Sequence, residues 1–189
     1  MKTPEPETVY QLKVTLAGSK PAIWRRLLVP GAIRLSSLHD VLQIAMGWGN
    51  CHLHEFRADG LSYGTPEEDW GSDVLREGKF TLDAVLTREK QRMEYVYDFG
   101  DDWRHKIVVE KIRPRVAGEV LPRCVKGAGA CPPEDCGGIW GYASLLETLA
   151  DPSDPEYAEM MEWAGGPIDP EHFDIEAVNK ALAPRKRKK

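Results

Sequence analysis

Three clusters of side chains could carry chemistry. The first is Cys124, Cys131 and Cys136 in R-C-V-K-G-A-G-A-C-P-P-E-D-C-G-G. Glycines let such a loop fold back, and three thiolates could converge on one soft cation, zinc first among them. A structural zinc site takes four ligands, commonly with cysteines two to four residues apart, so the gaps of six and four residues here match loosely. His52 is taken as the fourth ligand, with Cys51, His54, Glu134 and Asp135 as the other candidates. The competing reading is three buried thiols, because free cysteine is among the most buried residue types.

The second cluster is H-L-H-E-F, which sets His52 and His54 two apart and so on one face of a strand. Two imidazoles on one face suit a metal, or donate to nearby carbonyls as structural histidines. The third is D-F-G-D-D-W-R-H, with Asp98, Asp101, Asp102 and His105 crowded around a tight turn. Carboxylates beside an imidazole serve acid-base work or a hard cation. Asp is also common at turns because its side chain bonds its own backbone. No catalytic residue is assigned. The chain lacks a G-x-S-x-G elbow, a G-x-x-x-x-G-K loop and a G-x-G-x-x-G turn, and its D-F-G stands without the other protein-kinase motifs.

The elements that must position these groups read as α+β. V-Y-Q-L-K-V-T-L and Ile23 to Val29 form a hairpin, and apolar residues from Leu38 to Trp48 recur at helical spacing, with Ser36 or Ser37 as the cap and Gly47 or Gly49 as the stop. A short hairpin is expected through His52 to Tyr63, with its turn at Asp59 and Gly60. The strongest hairpin joins Met93–Asp98 to Trp103–Glu110. A type II′ turn at Gly100 and Asp101 would pair Asp98 with Trp103 and Val96 with His105, making Asp98 and His105 diagonal neighbours on one face. A loop from Pro114 to Gly141 follows, then helices at Tyr142–Leu149, Pro155–Trp163 and Ile175–Leu182. The expectation is one domain over 8–182, a mixed or antiparallel sheet of hairpins with one central helix and a helical C-terminal third, and flexible tails at 1–7 and 183–189.

At 189 residues the chain has the usual size of one domain, and no apolar run approaches the ~20 residues needed to cross a bilayer. The amino terminus lacks the apolar core of a signal peptide, which points to the cytoplasm and to reduced thiols. Formal net charge is −5, of which the run Arg185 to Lys189 contributes +5, leaving about −10 for the body. An acidic body repels nucleic acid, so nucleic-acid contact is expected at most weakly through that tail. The six tryptophans read as core and rim aromatics.

Three stretches in order, L-H-D-V-L-Q-I-A-M-G-W with H-L-H-E-F, then Y-D-F-G-D-D-W-x-H, then C-P-P-E-D-C-G-G-I-W-G-Y, resemble the Ri-plasmid third-open-reading-frame family, over residues 8 to 182. The resemblance implies a single α+β domain of unestablished activity, of plasmid or mobile-element origin. Members are often labelled TnpR-like passengers of insertion elements. That label would require a nucleophilic serine supported by arginines and a DNA-binding helical module. The sequence shows neither, and Ser36 and Ser37 read as helix caps.

Two functions follow. One is a noncatalytic binding module, its cysteine loop pinned by zinc and its exposed face recruiting a protein partner. The other is a metal-dependent hydrolase or nucleic-acid-processing enzyme built on His52, His54, Asp98 and His105, which requires distant motifs to converge.

Overall fold

Strand after strand, the apolar residues alternate, and the structure stacks these strands into one eight-stranded sheet. The computed structural model describes residues 7–66 and 73–183, so of the expected tails only Glu7 and Ala183 fall among the described residues. In chain order the elements are β1 (Thr8–Leu16), β2 (Trp24–Pro30), α1 (Leu35–Met46), β3 (His54–Ala58), β4 (Leu61–Gly64), β5 (Leu75–Arg76), a 3-10 turn (Glu77–Lys79) and α2 (Leu82–Val85). There follow β6 (Arg92–Tyr97), β7 (Trp103–Pro114), β8 (Arg123–Ala128), α3 (Gly138–Ala150), α4 (Tyr157–Trp163) and α5 (Ile175–Leu182). The sheet order is β5-β4-β3-β6-β7-β1-β2-β8, with β4 and β5 parallel and the other neighbours antiparallel.

Alternation sends Leu12, Val14, Leu16, Leu27, Val29, Phe56, Tyr95, Trp103, Ile107 and Val109 to one face, where all are buried. The helix α1 lies on this face. Leu35, Leu38, Val41, Leu42 and Ala45 give it a wide apolar stripe, and each Leu or Val side chain taken from water contributes on the order of 2 kcal/mol. Its polar residues are bound to the sheet: Gln43 Nε2 donates to the Tyr95 hydroxyl at 3.0 Å, and the Ala45 carbonyl accepts from Arg25 Nε at 2.8 Å. The helix α5 packs on β8 and α1, and Asn179 spans the backbone of Cys124, accepting from its N–H at 2.8 Å and donating to its carbonyl at 2.9 Å. The opposite face carries Gln11, Lys13, Arg26, Glu94, Arg104 and Lys106, all at least partly exposed.

Four expectations need correction. Ser36 and Ser37 lie inside the first turn of α1, whose N-cap position is Arg34 with no side-chain cap; the Leu35 N–H is satisfied by the Phe80 carbonyl at 3.0 Å. His52 lies outside the strand, because the ladder stops at the pair His54–Tyr97. The β6–β7 connection takes five residues, not two. Asp98 and Asp102 both adopt positive φ, the Asp102 N–H bonds the Asp98 carbonyl at 2.7 Å, and Tyr97 pairs with Trp103. His105 therefore sits opposite Tyr95 and Val96 opposite Arg104, one step from the expected register. The long loop after Pro114 contains β8, which completes the sheet beside β2. Among the described residues no helix is long and apolar enough to cross a membrane.

Candidate metal centre

Where α1 ends, Gly47 takes the left-handed conformation that a residue with a Cβ adopts at a cost. The chain then crosses the end of the sheet in a loop, residues 48–53, held from three sides. Trp48 packs against Tyr97, Trp103 and His105 at ring separations of 5.0, 5.8 and 5.2 Å, and its indole N–H donates to the Pro132 carbonyl at 3.0 Å. Asn50 is tied back to α1: its N–H donates to Gln43 Oε1 at 3.0 Å and its Oδ1 lies 2.7 Å from His39 Nε2. Cys51 N–H donates to the Tyr97 hydroxyl at 3.0 Å, and that hydroxyl donates to Glu134, whose other oxygen accepts from Gly49 N–H at 3.0 Å.

These ties present His52 to two carboxylates from remote parts of the chain. His52 Nε2 lies 3.6 Å from Asp98 Oδ2 in the β6–β7 turn and 3.2 Å from Asp135 Oδ1 in the cysteine loop. One ligand atom from each residue falls within 4.8 Å of the others. The nitrogen is shielded from solvent yet makes no aligned hydrogen bond, so both contacts are close approaches rather than bonded pairs. Asp98 is oriented by its own turn: Oδ1 accepts from Gly100 N–H at 2.9 Å and Asp101 N–H at 3.3 Å, leaving Oδ2 to face His52. Asp135 is the outer member, its side chain 72% exposed against 11% for Asp98.

The other sequence candidates go elsewhere. Asp101 Oδ2 accepts from Gly137 N–H at 3.2 Å, fastening the turn to the cysteine loop. Asp102 pairs with Arg104 Nε at 2.8 Å on the solvent side. His54 bonds Glu77 at 2.9 Å and stacks on His39 with ring centroids 3.5 Å apart. His105 is fully buried on the helix side, where loss of solvation lowers its pKa to about 4, and its Nδ1 lies 3.3 Å from the Tyr95 carbonyl. The expected face shared by Asp98 and His105, and the one shared by His52 and His54, are thus absent.

Among the described residues Cys124, Cys131 and Cys136 form no such group of ligand atoms, either together or with His52. Cys124 is buried in β8 with Sγ 3.5 Å from the Lys126 carbonyl, and Cys136 Sγ lies 3.9 Å from that of Gly138. Burial raises all three thiol pKa values, Cys136 to about 12, which keeps them protonated. Sequence reasoning had Asp135 only as an alternative ligand, and it missed Tyr97, whose role depends on a loop 46 residues away.

Comparison with known proteins covers the stretch of chain that carries these three motifs. A family model described as plasmid pRiA4b ORF-3-like protein matches residues 8–177. An uncharacterized protein of Sinorhizobium fredii, y4hQ, is 45% identical over 152 residues, covering 80% of this chain and 78% of that protein. A crystal structure of MM3350 from Methanosarcina mazei, a protein of unknown function, superposes with a TM-score of 0.83 at 37% identity, covering 94% of this chain and 98% of that one. With its match running through the whole sheet and the stretches that hold all three motifs, this chain belongs to the plasmid pRiA4b ORF-3-like family.

Proposed function

We propose that the protein is a metal-binding interaction module, in which His52, Asp98 and Asp135 hold one divalent cation, zinc first, and leave coordination positions open toward solvent. The observation that carries this reading is the solvent-shielded His52 Nε2, facing two carboxylate oxygens at 3.2 and 3.6 Å without an aligned bond to either. Tetrahedral zinc with bonds of about 2.0–2.2 Å holds its ligand atoms about 3.3–3.6 Å apart, close to the 3.6 and 3.2 Å from His52 to the two carboxylates, which themselves lie within 4.8 Å of each other. Three protein ligands leave a fourth position for an incoming group. Exposed apolar side chains flank it: Leu53 beside His52 is 57% exposed and Phe99 beside Asp98 is 52% exposed, which supports docking of a protein partner at this end of the sheet.

The hydrolytic alternative asks for an unengaged acid or base beside the ion. Glu134, a further carboxylate of the same loop network, has both oxygens occupied, by Tyr97 and by Gly49 N–H, and Asp101 Oδ2 is held by Gly137 N–H. This favours binding over hydrolysis. The test is elemental analysis of protein prepared without chelator. Near-stoichiometric zinc in the parent protein and in Cys131→Ser, lost in His52→Ala and Asp135→Asn, is the expected result. Metal released by Cys131→Ser but retained in His52→Ala would move the site to the cysteines, and a metal-free parent would end the proposal.

A further inference from the structure

The sheet's solvent face bears a charge opposite in sign to that of the whole molecule. Strand register sets Lys126 of β8, Arg26 of β2 and Lys13 of β1 directly across from one another, and the row continues through Val108 to Arg92 of β6. Four strand steps carry this row about 19 Å. Directly opposed like charges destabilise a sheet. Only partial relief is built in: Glu110, pushed out by the bulge in the β1–β7 pairing, holds Arg26 through bonds of 2.6 and 2.8 Å. Lys13, Arg92, Lys126 and the neighbouring Lys106 make no salt bridge among the described residues. Beside the row stands Trp24, half-exposed, with Lys13 Nζ and the Arg26 guanidinium 5.2 and 5.3 Å from its ring.

We propose that this face binds single-stranded nucleic acid, with phosphates along the cation row and a base stacked on Trp24. A single strand exposes both backbone charge and unstacked bases, which a flat sheet carrying cations and an aromatic ring takes up together. A duplex hides its base faces. A membrane surface would call for exposed apolar side chains able to insert, and the row offers only the half-buried Val108. The net charge of −5 does not prevent this, because at physiological ionic strength fields are screened beyond about 8 Å and the cations act locally. A concavity of about 340 Å³ bordered by Arg92, Arg104 and Lys106, with Glu94 as its one carboxylate, extends the same surface.

The experiment is fluorescence anisotropy of a labelled oligouridine with the full chain across a salt series. Expected is binding that weakens with salt. The double variant Lys13→Glu/Lys126→Glu loses at least tenfold in affinity, with the log–log salt slope flattened by roughly 0.7 for each phosphate contact removed. Trp24→Ala loses about tenfold with the slope unchanged. Thermal unfolding checks that each variant folds; if the double variant does not, Arg92→Glu/Lys106→Glu makes the same comparison at exposed positions. Undetectable binding overturns the proposal. So does affinity unchanged by the charge reversals, which would place the contact on Arg185–Lys189, or equal affinity for duplex or for phosphatidylserine vesicles.

Discussion

At the scale of single residues, Asp98 does two things that can be separated. One oxygen closes the β6–β7 turn on two backbone N–H groups, and the other faces His52. Asn keeps an acceptor for the turn and tolerates the positive φ of this position, whereas Ala does neither well. Asp98→Asn should therefore unfold within about 0.5 kcal/mol of the parent while losing the metal, and Asp98→Ala should lose the metal and about 1–3 kcal/mol of stability as well. Urea denaturation paired with elemental analysis tells the two apart; an Asn variant that keeps its metal would remove Asp98 from the ligand set.

Among the elements, the β6–β7 turn and the cysteine loop fit together through two glycines. Gly137 N–H bonds Asp101, and Gly138, at φ +69°, sits where a Cβ would come within 2.4 Å of the Asp101 carbonyl oxygen. That oxygen is backbone and cannot swing aside. Gly138→Ala should cost more than 1 kcal/mol in urea unfolding and weaken metal binding by displacing Asp135, three residues earlier. Unchanged stability and metal content would show that the loop does not depend on this contact. The two-residue repeat made β1, β2, β6 and β7 readable, since each sends most of its apolar residues to one face. The β6–β7 turn was misread because Asp98 and Asp102, not the glycine, supply the positive φ, and that choice is settled by contacts outside the turn. Strand β8 stayed hidden because its R-C-V-K-G-A carries no alternation until β2 pairs with it and α5 covers it. The metal cluster was half legible: His52, Asp98 and Asp135 each drew notice, but their meeting depends on loops 46 and 83 positions from His52.

For the whole molecule, acid should act first through the buried histidines. The pKa of His105 is lowered from 6.5 to about 4 by burial, and that of His39 is lowered by burial and by the stacked His54. An unfolded chain takes up these protons below about pH 6.5 while the folded one refuses them, so stability is full above that pH and falls as pH drops toward 4. His105 alone contributes roughly 3 kcal/mol to that fall. Thermal unfolding between pH 7 and pH 4.5 should show a steep loss in the parent and a shallower one in His105→Leu; parallel curves would mean that His105 charges freely in the fold. The distribution of charge is likewise a property of the whole. A sequence count gives an acidic body, whereas register gathers cations on one face, and no count along the chain could show that.

Asn179 offers the outer strand β8 one acceptor and one donor at the spacing of a peptide group, as a ninth strand would. An amide side chain can imitate one residue of a neighbour but cannot be followed by the next. The sheet thus meets a partner that terminates it. A second copy of the chain arriving edge to edge at β8 would find its first pair of bonds already taken, with Lys126 and Arg123 beside them and a bulge next to Cys124 bending the strand away. Growth by strand addition is closed at this edge by one helix residue, which keeps the cationic face a surface of fixed width instead of a repeating ribbon.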